Sequence, residues 1–217
     1  MKRYLPLAII VVVLVMAVGI GVVSYRQKTA SFVVAASDKP GAQPPHIRGT
    51  ATAPVTLEEF GDFECLPCFL LWPAVQNLEK DYGKDLAVIF RERPLPQHSH
   101  APDAARAAEA AGVQGKFWEM HDMLYMNRGK WVRAADPKEY FRECAATLGL
   151  DADKFVRDAA GPEVAQRLQA DAERAVSLGI DRTPAVFLNG RRVQLEADVE
   201  NGIRSEIEAA LGRGKQK

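Results

Sequence analysis

Residues 53–68 read APVTLEEFGDFECLPC, and this stretch decides the fold. Residues 55–63 are rich in β-forming apolar residues and predict a strand. Residues 65–82 follow with apolar residues at helical spacing, and a glycine ends the run. The pattern therefore places Cys65 and Cys68 at a junction between a strand and a helix.

A Cys-x-x-Cys pair at such a junction has the geometry that thiol–disulfide exchange requires. The first sulfur lies at a helix N-terminus, where unpaired N–H groups and the helix dipole favour a thiolate. The second sulfur lies one turn later, close enough to form or break a disulfide with the first. Cys65 is thus the predicted attacking cysteine and Cys68 its partner.

The composition excludes several classes of protein. The chain has 217 residues, with 28 basic and 28 acidic side chains, so its charge indicates no nucleic-acid partner. The apolar share of 47% is typical of a folded globular protein. Three cysteines are too few for a disulfide-stapled scaffold. The third, Cys144, lies on a predicted helix and is expected to be a buried, inert thiol.

Residues 5–23 form one uncharged apolar run, long enough to span a bilayer as a helix. The rival interpretation is a cleaved signal peptide, whose apolar core is usually about 7–15 residues. The length favours an uncleaved anchor over residues 1–23. Two basic residues flank the run on each side, so charge alone leaves its orientation open.

The rest of the chain divides into a linker and one folded domain. Residues 24–50 contain several prolines and glycines without periodicity and predict a flexible linker. Residues 51–213 are the predicted domain, with a second strand near 86–90 that is parallel to the first. A helical insertion follows at about 98–178. The sequence then predicts a hairpin over 185–194, turning at Asn-Gly, and a final helix.

Two motifs in this order resemble the DsbA-like thioredoxin-fold oxidoreductases. Residues 53–68 are similar to that family's active-site segment, and residues 179–190, GIDRTPAVFLNG, to its cis-proline loop and hairpin. Residues 90–95 and 115–120 also look typical of the family. The resemblance covers roughly residues 53–211. It implies an α/β thioredoxin fold with an inserted helical subdomain, here preceded by the predicted transmembrane helix.

The resemblance also implies roles for single residues. Cys65 would attack and Cys68 would resolve the mixed disulfide. Thr183 and Pro184 would form a cis peptide beside the pair and bind the substrate backbone. From the residues alone, Pro184 could equally open a strand in trans.

An acidic residue six positions before Cys65 has a role in this family as well. It lies buried behind the disulfide and moves protons to or from the resolving thiol, which a raised carboxyl pKa suits. Glu59 holds that position and Glu58 points to the opposite face, so Glu59 is favoured.

The sequence differs from the strongly oxidising members of the family at two places near the cysteines. Leu66-Pro67 separates the cysteines, so no histidine between them stabilises the thiolate. Arg182 stands where many relatives have glycine. It either stabilises the Cys65 thiolate from the cis-proline loop or points to solvent, and it is a candidate substrate-binding residue.

The implied function is exchange of disulfides with cysteine-containing protein substrates, with no dissociable cofactor beyond the Cys65–Cys68 pair. The implied partners are those substrates, a membrane redox recycling partner and the lipid bilayer. The expected location is a bacterial inner membrane, with a single span and the catalytic domain facing the periplasm or the cell exterior.

Two other functions use the same site. A tethered copper- or zinc-binding module would need further ligands, for which His98 and His100 are the only close pair of histidines. A glutathione-dependent transferase or isomerase of related fold would not need Cys68. We therefore predict no metal site and a protein disulfide oxidoreductase, with the net direction of electron flow left open.

Overall fold

A computed structural model describes residues 33–195 and 197–213. Within them, one mixed sheet has the strand order β1-β3-β2-β4-β5. Only β2 and β3 are parallel, and the other neighbours are antiparallel. The strands are β1 (His46–Gly49), β2 (Val55–Gly61), β3 (Leu86–Glu92), β4 (Ala185–Leu188) and β5 (Arg191–Val193).

Helices cover both faces of this sheet. The helix α1 connects β2 to β3, and α2 to α7 lie between β3 and β4, where the sequence predicts a helical insertion. The helices are α1 (Leu66–Tyr82), α2 (Ala101–Val113), α3 (Phe117–Met126), α4 (Arg128–Trp131), α5 (Lys138–Thr147), α6 (Ala152–Ala159), α7 (Pro162–Ser177) and α8 (Val199–Ala210). The architecture is the thioredoxin-like α/β fold with a helical insertion that the sequence predicts.

Alternation along β2 assigns its side chains to two cores. Leu57 and its neighbours on one face pack against α1 and α8, whose Leu78 and Ile207 are fully buried. Phe60 faces the other way and packs with Ala175 of α7. Side chains on a strand point to opposite faces in turn. Glu59 therefore faces α1, and Glu58 faces α7.

The C-terminal hairpin has the predicted turn. Asn189 and Gly190 both have positive φ, 45° and 78°, as a type I′ turn requires. The hairpin places β4 beside β2, with Ala185 opposite Phe60. The residues just before β4 consequently lie next to the end of β2.

The predicted flexible linker over 24–50 is wrong for residues 33–50, which pack against the domain. Residues 46–49 form β1 and pair with β3. Ala35 and Ala42 are buried. The Ala42 N–H donates to Asp171 Oδ1 at 2.7 Å, and Arg91 Nη1 donates to the Ala42 carbonyl oxygen at 2.8 Å.

A buried ionic network holds this segment. Glu58 accepts from Arg91 Nε at 3.0 Å and from Arg174 Nε at 2.9 Å, and all three side chains are about 1% exposed. Arg174 also donates to the carbonyl oxygens of Ala35 and Lys39, each at 2.8 Å. The two arginines thereby satisfy backbone groups that Pro- and Gly-rich sequence leaves without regular partners.

The predicted membrane anchor at residues 1–23 lies outside the described residues. In the part of the chain that the structure does describe, no helix has both the length and the apolar character needed to cross a bilayer. The anchor therefore stays a prediction from the sequence.

Candidate active site

Cys65 lies just after β2 and caps the N-terminus of α1. Its backbone N–H donates to Asp62, at 3.1 Å to the carbonyl oxygen and 3.2 Å to Oδ1. Cys68 lies one turn into the helix. Both side chains are free thiols and are buried, at 4% and 0% exposed. The pair is thus held at the strand-to-helix junction that the sequence predicts.

The two thiols differ sharply in acidity. The pKa of Cys65 is lowered to about 6, chiefly because the Cys68 thiol donates a hydrogen bond to it, with further help from Thr183 and the Cys68 backbone N–H. Burial raises the pKa of Cys68 well above its usual value, and Cys65 and Glu59 raise it further. Cys65 is therefore the nucleophile, and Cys68 stays protonated beneath it.

The loop before β4 closes over Cys65. The Thr183–Pro184 peptide bond is cis, as the resemblance implies. In the thiol form, Cys65 Sγ donates to the Thr183 carbonyl oxygen at 3.4 Å. Within the described residues Thr183 Oγ1 is buried without a hydrogen-bond partner, so it is available to donate to a thiolate. The register of β4 on β2 brings this loop to the pair.

Glu59 lies behind the cysteines on the face of β2 that meets α1. Burial raises the pKa of its carboxyl to about 8, with smaller contributions from Glu79 and Cys65. Its charge in turn raises the pKa of Cys68. A carboxyl that titrates near neutral pH beside a leaving thiol is suited to proton transfer. Glu58 is equally buried, but its oxygens are bound by Arg91 and Arg174 on the opposite face.

Arg182 points to solvent. Its side chain is 79% exposed and pairs with Asp181 at 3.3 Å. The groups that chiefly lower the pKa of Cys65 are Cys68 and Thr183. Of the two alternatives for Arg182, the geometry supports the solvent-facing one.

The sequence analysis missed Asp62, which organises the loop around the site. Its carboxylate accepts from the backbone N–H groups of Glu64 and Leu95, both at 2.8 Å, in addition to Cys65. It also contacts His98 Nδ1 at 2.8 Å. The sequence did contain a signal for this role, because Asp in a turn commonly accepts a hydrogen bond from the backbone N–H two residues later.

Apolar side chains lie exposed beside Cys65. Leu66 and Leu70 are 52% and 63% exposed, and their spacing puts both on one side of the first turns of α1. Exposed apolar side chains that lie together can mark a binding surface.

The histidines that the metal-binding alternative would use have other partners. Among the described residues, no group of three or more His, Cys, Asp or Glu side chains is arranged to hold a metal ion. His98 is bound to Asp62, and His100 Nε2 lies 3.0 Å from the Ala134 carbonyl oxygen. Tetrahedral sites usually take four protein ligands, or three and a water.

Cys144 is not part of the Cys-x-x-Cys pair. It is buried on α5, and burial raises the pKa of its thiol. A thiol that stays protonated is a poor nucleophile, which agrees with the predicted inert role.

Comparisons with known proteins agree with the fold. The family model described as Thioredoxin matches residues 42–208. A thioredoxin-like oxidoreductase from Silicibacter pomeroyi DSS-3 is 27% identical, with 78% of this chain and 91% of that chain covered and a TM-score of 0.62. DsbA2 from Pseudomonas aeruginosa is 26% identical, with coverage of 78% and 96% and a TM-score of 0.62. BdbD from Bacillus subtilis, 22% identical with coverage of 82% and 99%, shares the fold with a TM-score of 0.69.

Curated relatives are longer proteins. The Na(+)/H(+) antiporter NhaA 1 of Salinispora arenicola is 43% identical over 148 residues, which are 68% of this chain and 22% of that protein. NhaA of Herminiimonas arsenicoxydans is 34% identical over 186 residues, which are 86% of this chain and 29% of that protein. The chain thus spans less than a third of these relatives, and their antiporter names describe the longer proteins. From its family match, its fold and its paired cysteines, the chain belongs to the thioredoxin family as a DsbA-like member.

Proposed function

We propose that this protein is a thiol–disulfide oxidoreductase that exchanges disulfides with cysteine-containing protein substrates. The observation that carries the proposal is the opposed acidity of the pair. The pKa of Cys65 is lowered to about 6 and that of Cys68 is raised well above its usual value, in one Cys-x-x-Cys beside a cis-proline loop. Such a pair can attack, hold a mixed disulfide and resolve it without a dissociable cofactor.

In the oxidising direction, a substrate thiolate attacks Cys65 Sγ of the Cys65–Cys68 disulfide. The bond between the two cysteines breaks, and Cys68 leaves as a thiolate that takes a proton from Glu59. A second substrate thiolate then attacks the substrate sulfur of the mixed disulfide and releases the Cys65 thiolate. The substrate loses two electrons, and the pair gains them. The same steps in reverse reduce a substrate disulfide.

Substrate binding is assigned to the surface around Cys65. The backbone of Thr183 and Pro184 would pair with the substrate chain, while the exposed Leu66 and Leu70 would cover apolar substrate residues. Arg182, which is free to turn towards a bound chain, would contact acidic substrate side chains.

The reduction potential should lie between about −120 mV, typical of the strongest oxidants of this kind, and about −270 mV, typical of thioredoxin. The reduced form is stabilised by a thiolate at Cys65, but Leu66-Pro67 provides no cation between the cysteines. A recycling partner in the membrane would return the pair to its starting state. We place the protein in a bacterial inner membrane through residues 1–23, with the domain on the oxidising side.

Trapping tests the exchange reaction. Cys68→Ser should accumulate mixed disulfides with substrate proteins through Cys65, whereas Cys65→Ser should accumulate none. Cys144→Ser is the matched control and should behave like the unaltered protein. Alkylation of the reduced protein near pH 6 should label Cys65 first. Preferential labelling of Cys68 or Cys144 would contradict the assigned roles.

A further inference from the structure

A small cavity lies behind the active site between β1, β2, α1 and α3. It measures about 10 Å³, and Glu59 is among its lining residues. That volume is close to the minimum that accommodates one water molecule. Glu79 of α1 and Trp118, His121 and Tyr125 of α3 are also among its lining residues.

Three buried polar atoms that lack a hydrogen-bond partner among the described residues belong to residues lining this cavity. They are Glu79 Oε1, Trp118 Nε1 and Tyr125 Oη. Buried polar groups are nearly always satisfied by protein or by ordered water. A water molecule needs two to four polar partners, and the residues that line this cavity carry three such atoms. The cavity therefore has the size and the polar residues to hold one water molecule next to Glu59.

Glu79 connects this cavity to the surface. Its side chain is 17% exposed, and its second oxygen, Oε2, accepts from Arg48 Nη1 at 3.3 Å. Arg48 is itself 25% exposed and binds Asp122 Oδ2 at 2.7 Å. One Glu79 oxygen thus belongs to the cavity, while the other is held at the protein surface.

We propose that Glu79 is the carboxylate through which Glu59 exchanges its proton with solvent, by way of a water molecule in this cavity. The proposal rests on the proposed function, because it concerns the proton that Cys68 takes up when the disulfide opens. Glu59 gives that proton to the Cys68 thiolate and becomes a carboxylate. A proton then passes from Glu79 through the water to Glu59, and Glu79 is reprotonated from solvent.

The charges around the cavity agree with this route. Burial raises the pKa of Glu79, against the opposing effect of Arg48, so this carboxyl holds and releases a proton closer to neutral pH. Burial lowers the pKa of His121, which therefore stays neutral beside Asp122. The titratable and charged groups that line the cavity are Arg48 on β1, Glu59 on β2, Glu79 on α1, and His121 and Tyr125 on α3. Asp122 of α3 binds both Arg48 and His121.

The test measures two reactions of the full chain. One is reduction of the oxidised pair by a reduced model peptide immediately after a pH jump from about 9.5 to 7, so that Glu59, with a pKa of about 8, must first take up a proton before it can protonate the leaving Cys68. The other is alkylation of Cys65, in which Cys68 does not leave. In Glu79→Gln we expect the first to slow by roughly tenfold or more near pH 7, since general acid catalysis is typically worth at least that factor. The second should not change.

Control variants separate proton transfer from structure. Asp81→Asn removes another ion-paired carboxylate on α1, partner of Arg204, and should leave both rates unchanged. Because Glu79 acts through Glu59, the double variant Glu59→Gln/Glu79→Gln should be no slower than Glu59→Gln alone. Glu79→Asp should recover part of the lost rate.

Three results decide the outcome. Reduction of Glu79→Gln at the wild-type rate after the pH jump would overturn the relay, and so would a fully additive double variant. Equal slowing of reduction and Cys65 alkylation would also overturn it, because that pattern indicates a structural role. Failure of the unaltered protein to exchange with the peptide would instead overturn the proposed function itself.

Discussion

The sulfur of Cys65 lies 3.4 Å from the carbonyl oxygen of Thr183, although 118 residues separate the two in the chain. The contact exists because β4 pairs antiparallel with β2 and begins opposite Phe60, near the end of β2 that leads to α1. It joins the nucleophile to the loop that would bind the substrate backbone. The attacking sulfur and the backbone that would position the substrate therefore lie side by side.

Replacement of Thr183 by valine tests the hydroxyl of the same residue rather than its carbonyl group. Thr183→Val keeps the shape but cannot donate to the thiolate, so the pKa of Cys65 should rise from about 6 by roughly 1. The rate of Cys65 alkylation as a function of pH measures the change. Thr147→Val, which removes an exposed hydroxyl bound to the Glu143 carbonyl oxygen, is the control. An unaltered Cys65 pKa in Thr183→Val would argue against this hydrogen bond.

Arg182→Gly should leave the reduction potential unchanged. The guanidinium is turned to solvent and paired with Asp181, so its loss does not alter the stability of the Cys65 thiolate. Equilibration of the pair against glutathione measures the potential. Exchange with a substrate peptide that has acidic residues beside its cysteine should slow, whereas exchange with a neutral peptide should not. A lower potential in Arg182→Gly would restore the thiolate-stabilising alternative.

Glu59 should make stability depend on pH. Its pKa is about 8 in the folded protein and near 4.5 when unfolded, so between these values the unfolded chain binds fewer protons than the folded one. The free energy of unfolding should accordingly fall as the pH rises from about 4.5 to 8 and level off above that. Urea unfolding across this range should show a smaller fall in Glu59→Gln. Equal slopes for the two proteins would mean that Glu59 is not buried and protonated.

Arg174→Met should destabilise the domain by about 3–5 kcal/mol, because it leaves Glu58 buried with one of its two arginine partners gone. It should also expose residues 33–44 to protease, since Arg174 binds the Ala35 and Lys39 carbonyl oxygens. Urea unfolding and limited proteolysis report the two effects. Arg157→Met changes an exposed side chain on α6 and should do neither. Wild-type resistance to protease in Arg174→Met would show that the segment is held by other contacts.

The predicted anchor can be tested by fractionation. The full chain should remain with membranes after carbonate extraction, and a bulky impermeant thiol reagent should reach Cys65 from the non-cytoplasmic side. The described chain meets the domain at Val33, whose N–H donates to Thr56 Oγ1 at 3.3 Å near the start of β2. Cys65 follows the other end of β2, so the active site should face away from the bilayer. A soluble mature form that lacks the apolar run at residues 5–23 would establish the signal-peptide alternative.

The sequence alone was enough for the elements whose signals are local. The Cys-x-x-Cys at the end of an apolar run predicts the strand, the helix and the order of the two thiols, because helix termini and side-chain periodicity depend on neighbouring residues. Asn189-Gly190 predicts the hairpin because few residues accept positive φ twice in succession. Glu59 was the favoured acid, and the structure places it behind Cys68.

Contacts between residues that are distant in the chain could not be predicted from local sequence patterns. Residues 33–50 have no periodicity of their own, and they are ordered because Arg91, Arg174 and Asp171 satisfy their backbone groups. The alternation of side chains along β2 predicted that only one of Glu58 and Glu59 is buried. Both are buried, because helices pack on both faces of the sheet.

The sequence by itself determined the chemistry of this protein: two cysteines at a strand-to-helix junction, with an acidic residue six positions before the first. Only the tertiary structure decided the acidity of those cysteines, the side on which Arg182 lies and the cavity between Glu59 and Glu79. The reason is physical. Burial, ion pairing and enclosed space depend on which distant elements pack together, and no local pattern of residues records that packing.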